Sequence, residues 1–155
     1  MASFGCDRNG EDDMISLVDA KLRYPGAEVF SFGDTPTLIA ELTALVRSGH
    51  KRATCISQAE IDAGEAAPCV GRRDIALGPD RAPALVIETV EVRATCFEDV
   101  TTEMALAEGE DDTLESWRAN HRRYYERLLG HWAPDMPLIW ERFDVVEDFE
   151  EDQVG

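Results

Sequence analysis

The stretch Gly49-His50-Lys51-Arg52-Ala53-Thr54 decides how this chain is read, because a helix stops there and a strand begins. Ahead of it, Thr35 can serve as N-cap and Pro36 suits the first helical position. Leu38, Ile39, Leu42, Leu45 and Val46 follow at helical spacing, and Gly49 supplies the stop. That stripe is core. Beyond it, Ala53-Thr54-Cys55-Ile56-Ser57 reads as a strand.

Lys51 is one of two lysines in 155 residues, against thirteen arginines. Arginine keeps its charge in any protein environment, whereas a desolvated lysine can lose its proton. Three residues before Thr54, Lys51 can place an amine beside a hydroxyl, a pairing that activates a nucleophile or polarises a carbonyl. It is also the residue a helix C-terminus attracts, a solvated cation offsetting the dipole. Spacing alone leaves both readings open.

The length fits one domain, large enough to bury a core unaided. Apolar residues make up 44% and charged ones 30%, ordinary for a globular chain. The formal charge is −17, with acids clustered at Glu11, Asp12 and Asp13 and again from Glu147 to Asp152. Such a surface repels a phosphate backbone at long range, which counts against broad nucleic-acid binding. Cys6, Cys55, Cys69 and Cys96 form no CxxC pair, so zinc ligation finds no support in spacing and a disulfide framework is not expected. No basic-then-apolar leader and no membrane-length apolar run is visible. The expectation is a cytoplasmic protein with reduced thiols, no membrane association and no cofactor.

Residues 1–12 are polar and read as a disordered N-terminus, 13–146 as the single domain and 147–155 as a disordered acidic tail. Met14 to Ala20 has helical spacing, with Met14, Leu17 and Val18 on one face. Residues 64–71 read as loop, Asp74 to Leu77 as a short strand, and Ala84 to Val92 as the longest strand. On that strand Glu88 shares a face with Val86, Val90 and Val92, so it is either inward and paired or edge-exposed. Phe97 to Ala107 reads as a short helix capped by Thr101. Asp112 and Glu115 resemble a capping box that opens a long helix, with Leu114, Trp117, His121, Tyr124 and Leu128 on one stripe. Arg118 and Tyr125 lie beside the stripe, and Pro137 to Val146 closes the chain as a strand.

This order of elements lacks the alternation of a parallel α/β sheet and points to an α+β domain. The pieces Phe32-Gly33-Asp34-Thr35-Pro36, Gly49-x-Lys51-x-x-Thr54 and Ile87 to Val92 stand in an order that resembles the ASCH domain family of PUA-like proteins. So do Ala107-Glu108-Gly109-Glu110, Ser116-Trp117-Arg118 with His121, and Glu141-Arg142-Phe143. The resemblance runs from about Phe30 to Val146. It implies a small mixed or antiparallel PUA-like β-barrel flanked by helices, with a cleft beside the Lys51 turn. It also implies one of two activities, hydrolysis of N4-acylated cytidines or RNA cleavage, or else RNA binding without chemistry. For the hydrolases the resemblance assigns catalysis to Lys51, Thr54 and a glutamate after the following helix. Glu108 is the first match for that glutamate and Glu110 the second. Those enzymes carry arginine two residues after the threonine, where this chain has Ile56.

Chemically the trio suits amide hydrolysis: a hydroxyl to attack, an amine and a carboxylate to move protons or hold an oxyanion. Lys51 is either the base for Thr54 or a fixed cation with the carboxylate as base. Glu88, Trp117, Arg118, His121 and Tyr125 are the candidate substrate-binding residues, with an aromatic ring stacking on a base and Arg118 and His121 meeting its polar edges. The other reading of that stripe is plain core. His121 has no Cys or His close in sequence, so no metal is expected. The expected ligand is a nucleoside-like small molecule. Weak RNA binding would rest on Arg118, Arg122, Arg123 and Arg127. A ligand-sensing domain without catalysis would use the same cleft.

Overall fold

The computed structural model describes residues 15–150. The expectations for residues 1–12, for Met14 and for the last five positions therefore lie outside the described residues, as does Cys6. In chain order the elements are α1 (Leu17–Arg23), β1 (Val29–Phe30), α2 (Pro36–Arg47), β2 (Ala53–Ser57) and α3 (Gln58–Asp62). Then come β3 (Arg73–Leu77), β4 (Pro83–Cys96), a 3-10 turn (Phe97–Asp99), α4 (Thr102–Ala107), α5 (Leu114–Leu129) and β5 (Pro137–Asp148). The fold is α+β. Its strands form one mixed sheet in the order β1-β3-β4-β5-β2, so β1 and β2 are its edges and the barrel expected from the resemblance appears as an open sheet. β1 pairs with β3 in parallel, while β3 with β4 and β2 with β5 pair antiparallel. Among the described residues no helix is long and apolar enough to cross a membrane.

The described residues group into two compact units, 15–44 with 73–88 and 145–150, and 45–72 with 89–144. In the first, Ala20, Ile75, Leu77, Val86 and Phe149 make the core. Ser16 caps α1 by accepting from the Asp19 amide, so the helix begins later than its apolar spacing predicts. Ala20 is the residue it buries, while Val18 is 68% exposed, which corrects the predicted face. Glu88 is paired here with Arg73 at 2.8 Å, on the adjoining strand. β5 also runs past the expected boundary at 146. Phe149 is buried, and Glu147 accepts from the Tyr24 hydroxyl at 2.6 Å and pairs with Arg23.

The second unit holds the motif stretch. Its core is built from Ala53, Phe97, Val100, Met104, Ala105, Trp117, Tyr125, Met136, Leu138 and Trp140. At the end of α2, Gly49 takes φ +83°, and the His50 and Lys51 amides both donate to the Leu45 carbonyl. The chain then enters β2, whose residues 53–57 pair with 142–138 of β5. Ser57 and Glu60 form a capping box that starts α3, a helix the sequence reading leaves unassigned ahead of the 64–71 loop. α5 is capped by Thr113, whose side chain accepts from the Ser116 amide, rather than by Asp112.

Candidate functional site

The site grows from the turn between α2 and β2 and from the loop after α4. The Arg52 amide donates to the Ala107 carbonyl at 2.8 Å, which ties the two segments together. Gly109 permits the closest part of that approach. It adopts φ +75°, and a Cβ there would stand 2.5 Å from the His50 carbonyl oxygen and 2.7 Å from Lys51 Cα. Only glycine fits. The loop is also held from its other side, where Asp111 accepts from Ser116 at 2.7 Å and from Asn120 at 2.6 Å.

The close approach buries Lys51 to 2% exposure. Its Nζ donates to the Ala53 carbonyl at 2.9 Å, the Glu108 carbonyl at 3.1 Å and Glu110 Oε2 at 2.7 Å. Three acceptors use all three N–H bonds of an ammonium. The carboxylate on Lys51 is thus that of Glu110, the second candidate, and not that of Glu108. Glu108 closes α4 in helical conformation, and the reversal at Gly109 brings the next carboxylate round to Lys51. Glu110 keeps 33% of its side chain exposed, so it is the solvent-facing member of the pair.

Glu108 turns inward. It is 1% exposed; its Oε1 lies 3.3 Å from His121 Nε2, and its Oε2 has no hydrogen-bond partner. The other imidazole nitrogen, Nδ1, sits 2.9 Å from the Trp117 carbonyl, and the ring stacks on Trp117 at 4.0 Å. Burial alone would lower the His121 pKa, but the Glu108 carboxylate and the Trp117 carbonyl outweigh it and the net shift is upward. Cys55 joins the same group, with Sγ 3.5 Å from the Tyr125 hydroxyl. Burial, reinforced by the charge of Glu108, pushes its thiol pKa well up. Ligand atoms of Cys55, Glu108 and His121 all lie within 4.8 Å of one another. Cys55 and His121 are far apart in sequence, so no short spacing advertised this group.

Thr54 immediately precedes Cys55 on β2, and successive strand residues point to opposite faces. It therefore faces away from the Cys55 group. Its cross-strand partner is Glu141, whose Oε1 accepts from the Thr89 hydroxyl at 2.8 Å. Glu141 is a carboxylate the motif reading missed as a neighbour of Thr54. The alternation of β2 against β5 was its only sequence signal.

The remaining candidates divide. Trp117 and Tyr125 are fully buried in the core, which is the plain reading of their stripe. Tyr124 and Leu128, expected on that stripe, are 38% and 48% exposed, because the buried line runs Trp117, His121, Tyr125. Arg118 is exposed and reaches the Glu98 carbonyl at 3.3 Å. Glu88 stays with Arg73 in the other unit. Arg122 pairs with Glu126 at 3.2 Å and lies over the Trp132 ring at 4.2 Å. Arg127 lies over Tyr124, and Arg123 donates to Asn120. Cys55, Cys69 and Cys96 are free thiols.

The open mixed sheet and the glycine-tethered lysine define an α+β domain of the PUA-like kind. A family model for the ASCH domain matches residues 28–147, and the chain belongs to that family. Among solved structures, a protein from Enterococcus faecalis V583 is 29% identical, with a TM-score of 0.77 over 96% of this chain and 94% of the other. An ASCH domain from Lactobacillus crispatus JV V101 is 27% identical, with a TM-score of 0.72 over 90% and 94%. A hypothetical protein at 11% identity and TM-score 0.53, over 77% of this chain and 99% of the other, shares the fold alone. No curated protein matches the chain.

Proposed function

We propose that this protein is a hydrolase of acyl amides on a modified nucleobase or nucleoside, with N4-acylated cytidine as the substrate class and Lys51, Glu110 and Thr54 as its working residues. The observation that carries the reading is the buried Lys51 ammonium, held by two backbone carbonyls and by one partly exposed carboxylate. The substrate's acyl oxygen takes the place of Glu110 on Nζ. Lys51 then stabilises the negative charge that develops as the carbonyl becomes tetrahedral. Glu110, released, takes the proton of the Thr54 hydroxyl as its oxygen attacks the acyl carbon, and returns it to the departing exocyclic amine. Water cleaves the resulting ester, so the net reaction consumes one water and yields a carboxylic acid and the free cytosine amine.

A fully donated ammonium supports Lys51 as the fixed cation rather than as the base for Thr54. This fixes the pattern expected of N4-acetylcytidine turnover. Glu110→Gln and Thr54→Val should abolish it. Lys51→Arg, which keeps the charge, should retain part of the rate, a loss of about two to three powers of ten. A wild-type protein that turns over no member of an acylated-nucleoside panel would end the hydrolase reading. Full activity in Glu110→Gln would place the base elsewhere, with Glu141 next in line.

A further inference from the structure

We propose that Cys55, Glu108 and His121 form a binding site for a divalent transition-metal ion of the zinc class, buried in the second unit and distinct from the Lys51–Glu110 pair. The donor set is one thiol, one carboxylate and one imidazole, the types zinc takes in mixed sites. Their ligand atoms already lie within 4.8 Å of one another, and His121 Nε2 to Glu108 Oε1 is 3.3 Å. Tetrahedral zinc with ordinary bond lengths needs neighbouring donors about 3.3–3.6 Å apart, so one pair is in place and the rest must close by about an ångström.

Two further features point to a cation. Glu108 Oε2 is buried and has no hydrogen-bond partner, a costly state for a carboxylate oxygen that a metal bond removes. The imidazole is oriented as metal-binding histidines usually are. Its Nδ1 meets the Trp117 carbonyl at 2.9 Å, which fixes the hydrogen on that nitrogen and leaves the Nε2 lone pair directed at the carboxylate. A lone pair facing a carboxylate needs a proton or a metal ion between them. A proton on Nε2 serves Oε1 and His121 and leaves the carboxylate only the weak Cys55 thiol as a further donor, whereas a metal ion serves the carboxylate, the imidazole and the thiol together.

Three protein donors leave a fourth position for water or for the Tyr125 hydroxyl, which lies 3.5 Å from Cys55 Sγ. Binding is a proton exchange: the metal takes the Cys55 thiolate and the thiol proton passes to solvent. Any proton resident on His121 Nε2 leaves with it. The site borders the chemistry without entering it, since Glu108 gives its backbone carbonyl to Lys51 and its side chain to this group.

The test is a titration of the full chain, stripped with chelator and kept reduced, with cobalt(II) as the spectroscopic probe. Zinc chloride then competes for the site. The expected result is a thiolate-to-cobalt charge-transfer band that saturates at one equivalent and is bleached by one equivalent of zinc, with a rise in Tm. Cys55→Ser should lose the band, and His121→Ala should weaken cobalt by more than the roughly 10–100-fold lost when only a ligand's hydrogen-bond partner is removed. Cys69→Ser should leave the titration unchanged. A wild-type chain that shows no such band at stoichiometric cobalt overturns the proposal whatever the variants do. A band that survives in Cys55→Ser overturns it as well, by placing the metal on another thiol.

Discussion

Gly109 shows how much rests on one absent side chain. Gly109→Ala sets a methyl group against the backbone of His50 and Lys51 and also forces alanine into the left-handed region. Gly130 has nearly the same φ, +80°, but nothing within 4 Å of where a Cβ would stand. Left-handed strain alone costs about 1–2 kcal/mol. Urea unfolding should therefore show Gly130→Ala losing about that much and Gly109→Ala losing clearly more. Equal losses would remove the argument from close approach. The same pair separates strain from function, because only Gly109→Ala should displace Glu110 from Lys51 and lower N4-acetylcytidine turnover. Among single residues, Lys51 was legible from its rarity and its place at the turn. The choice between Glu108 and Glu110 was not, since both follow α4 and only the reversal at Gly109 decides which carboxylate meets the lysine.

At the scale of elements, strands and helix stops were more readable than caps and faces. Ala53–Ser57 is a strand as predicted, because its residues lie between the glycine stop at Gly49 and the helix cap at Ser57. α3 carries the Ser57–Glu60 capping signature but, at five residues, is too short for an apolar periodicity to reveal it. β5 extends to Asp148 because Glu147 has partners on α1, and those partners are distant in sequence. The contact titrates. Burial, with the Glu147 carboxylate beside it, raises the Tyr24 pKa from 10.0 to about 12. The folded protein thus holds this proton more tightly than the unfolded chain. The stabilisation is complete below pH 10 and is lost as pH rises through 12. Alkaline unfolding curves of wild type and Tyr24→Phe should converge across that window, and a constant gap between them would refute the linkage.

For the molecule as a whole, a charge of −17 sets the terms on which anything polyanionic can approach. The arginines of α5 do not form an open patch, since Arg122, Arg123 and Arg127 are each engaged by neighbours on or beside the helix. Binding of single-stranded RNA should be weak and should fall steeply between 50 and 200 mM salt, as expected when affinity comes from counterion release. Filter binding or fluorescence anisotropy across that range provides the check. Tight binding that resists salt would favour an RNA-directed role instead.

What the sequence determined by itself was local and periodic: the capped helix ending at Gly49, the strand through Thr54, the α+β order of elements and the family motif that carries Lys51. Each follows from neighbours within a turn or two along the chain, where propensity, capping and spacing act. What only the tertiary structure decided was which distant groups share a volume. It assigned Glu110 to Lys51, turned Glu108 toward His121 and Cys55, set Glu141 opposite Thr54 and sank Trp117 and Tyr125 into the core. Those pairings depend on a backbone close approach at Gly109 and on strand register. Neither leaves a spacing that a reader of the linear chain can count.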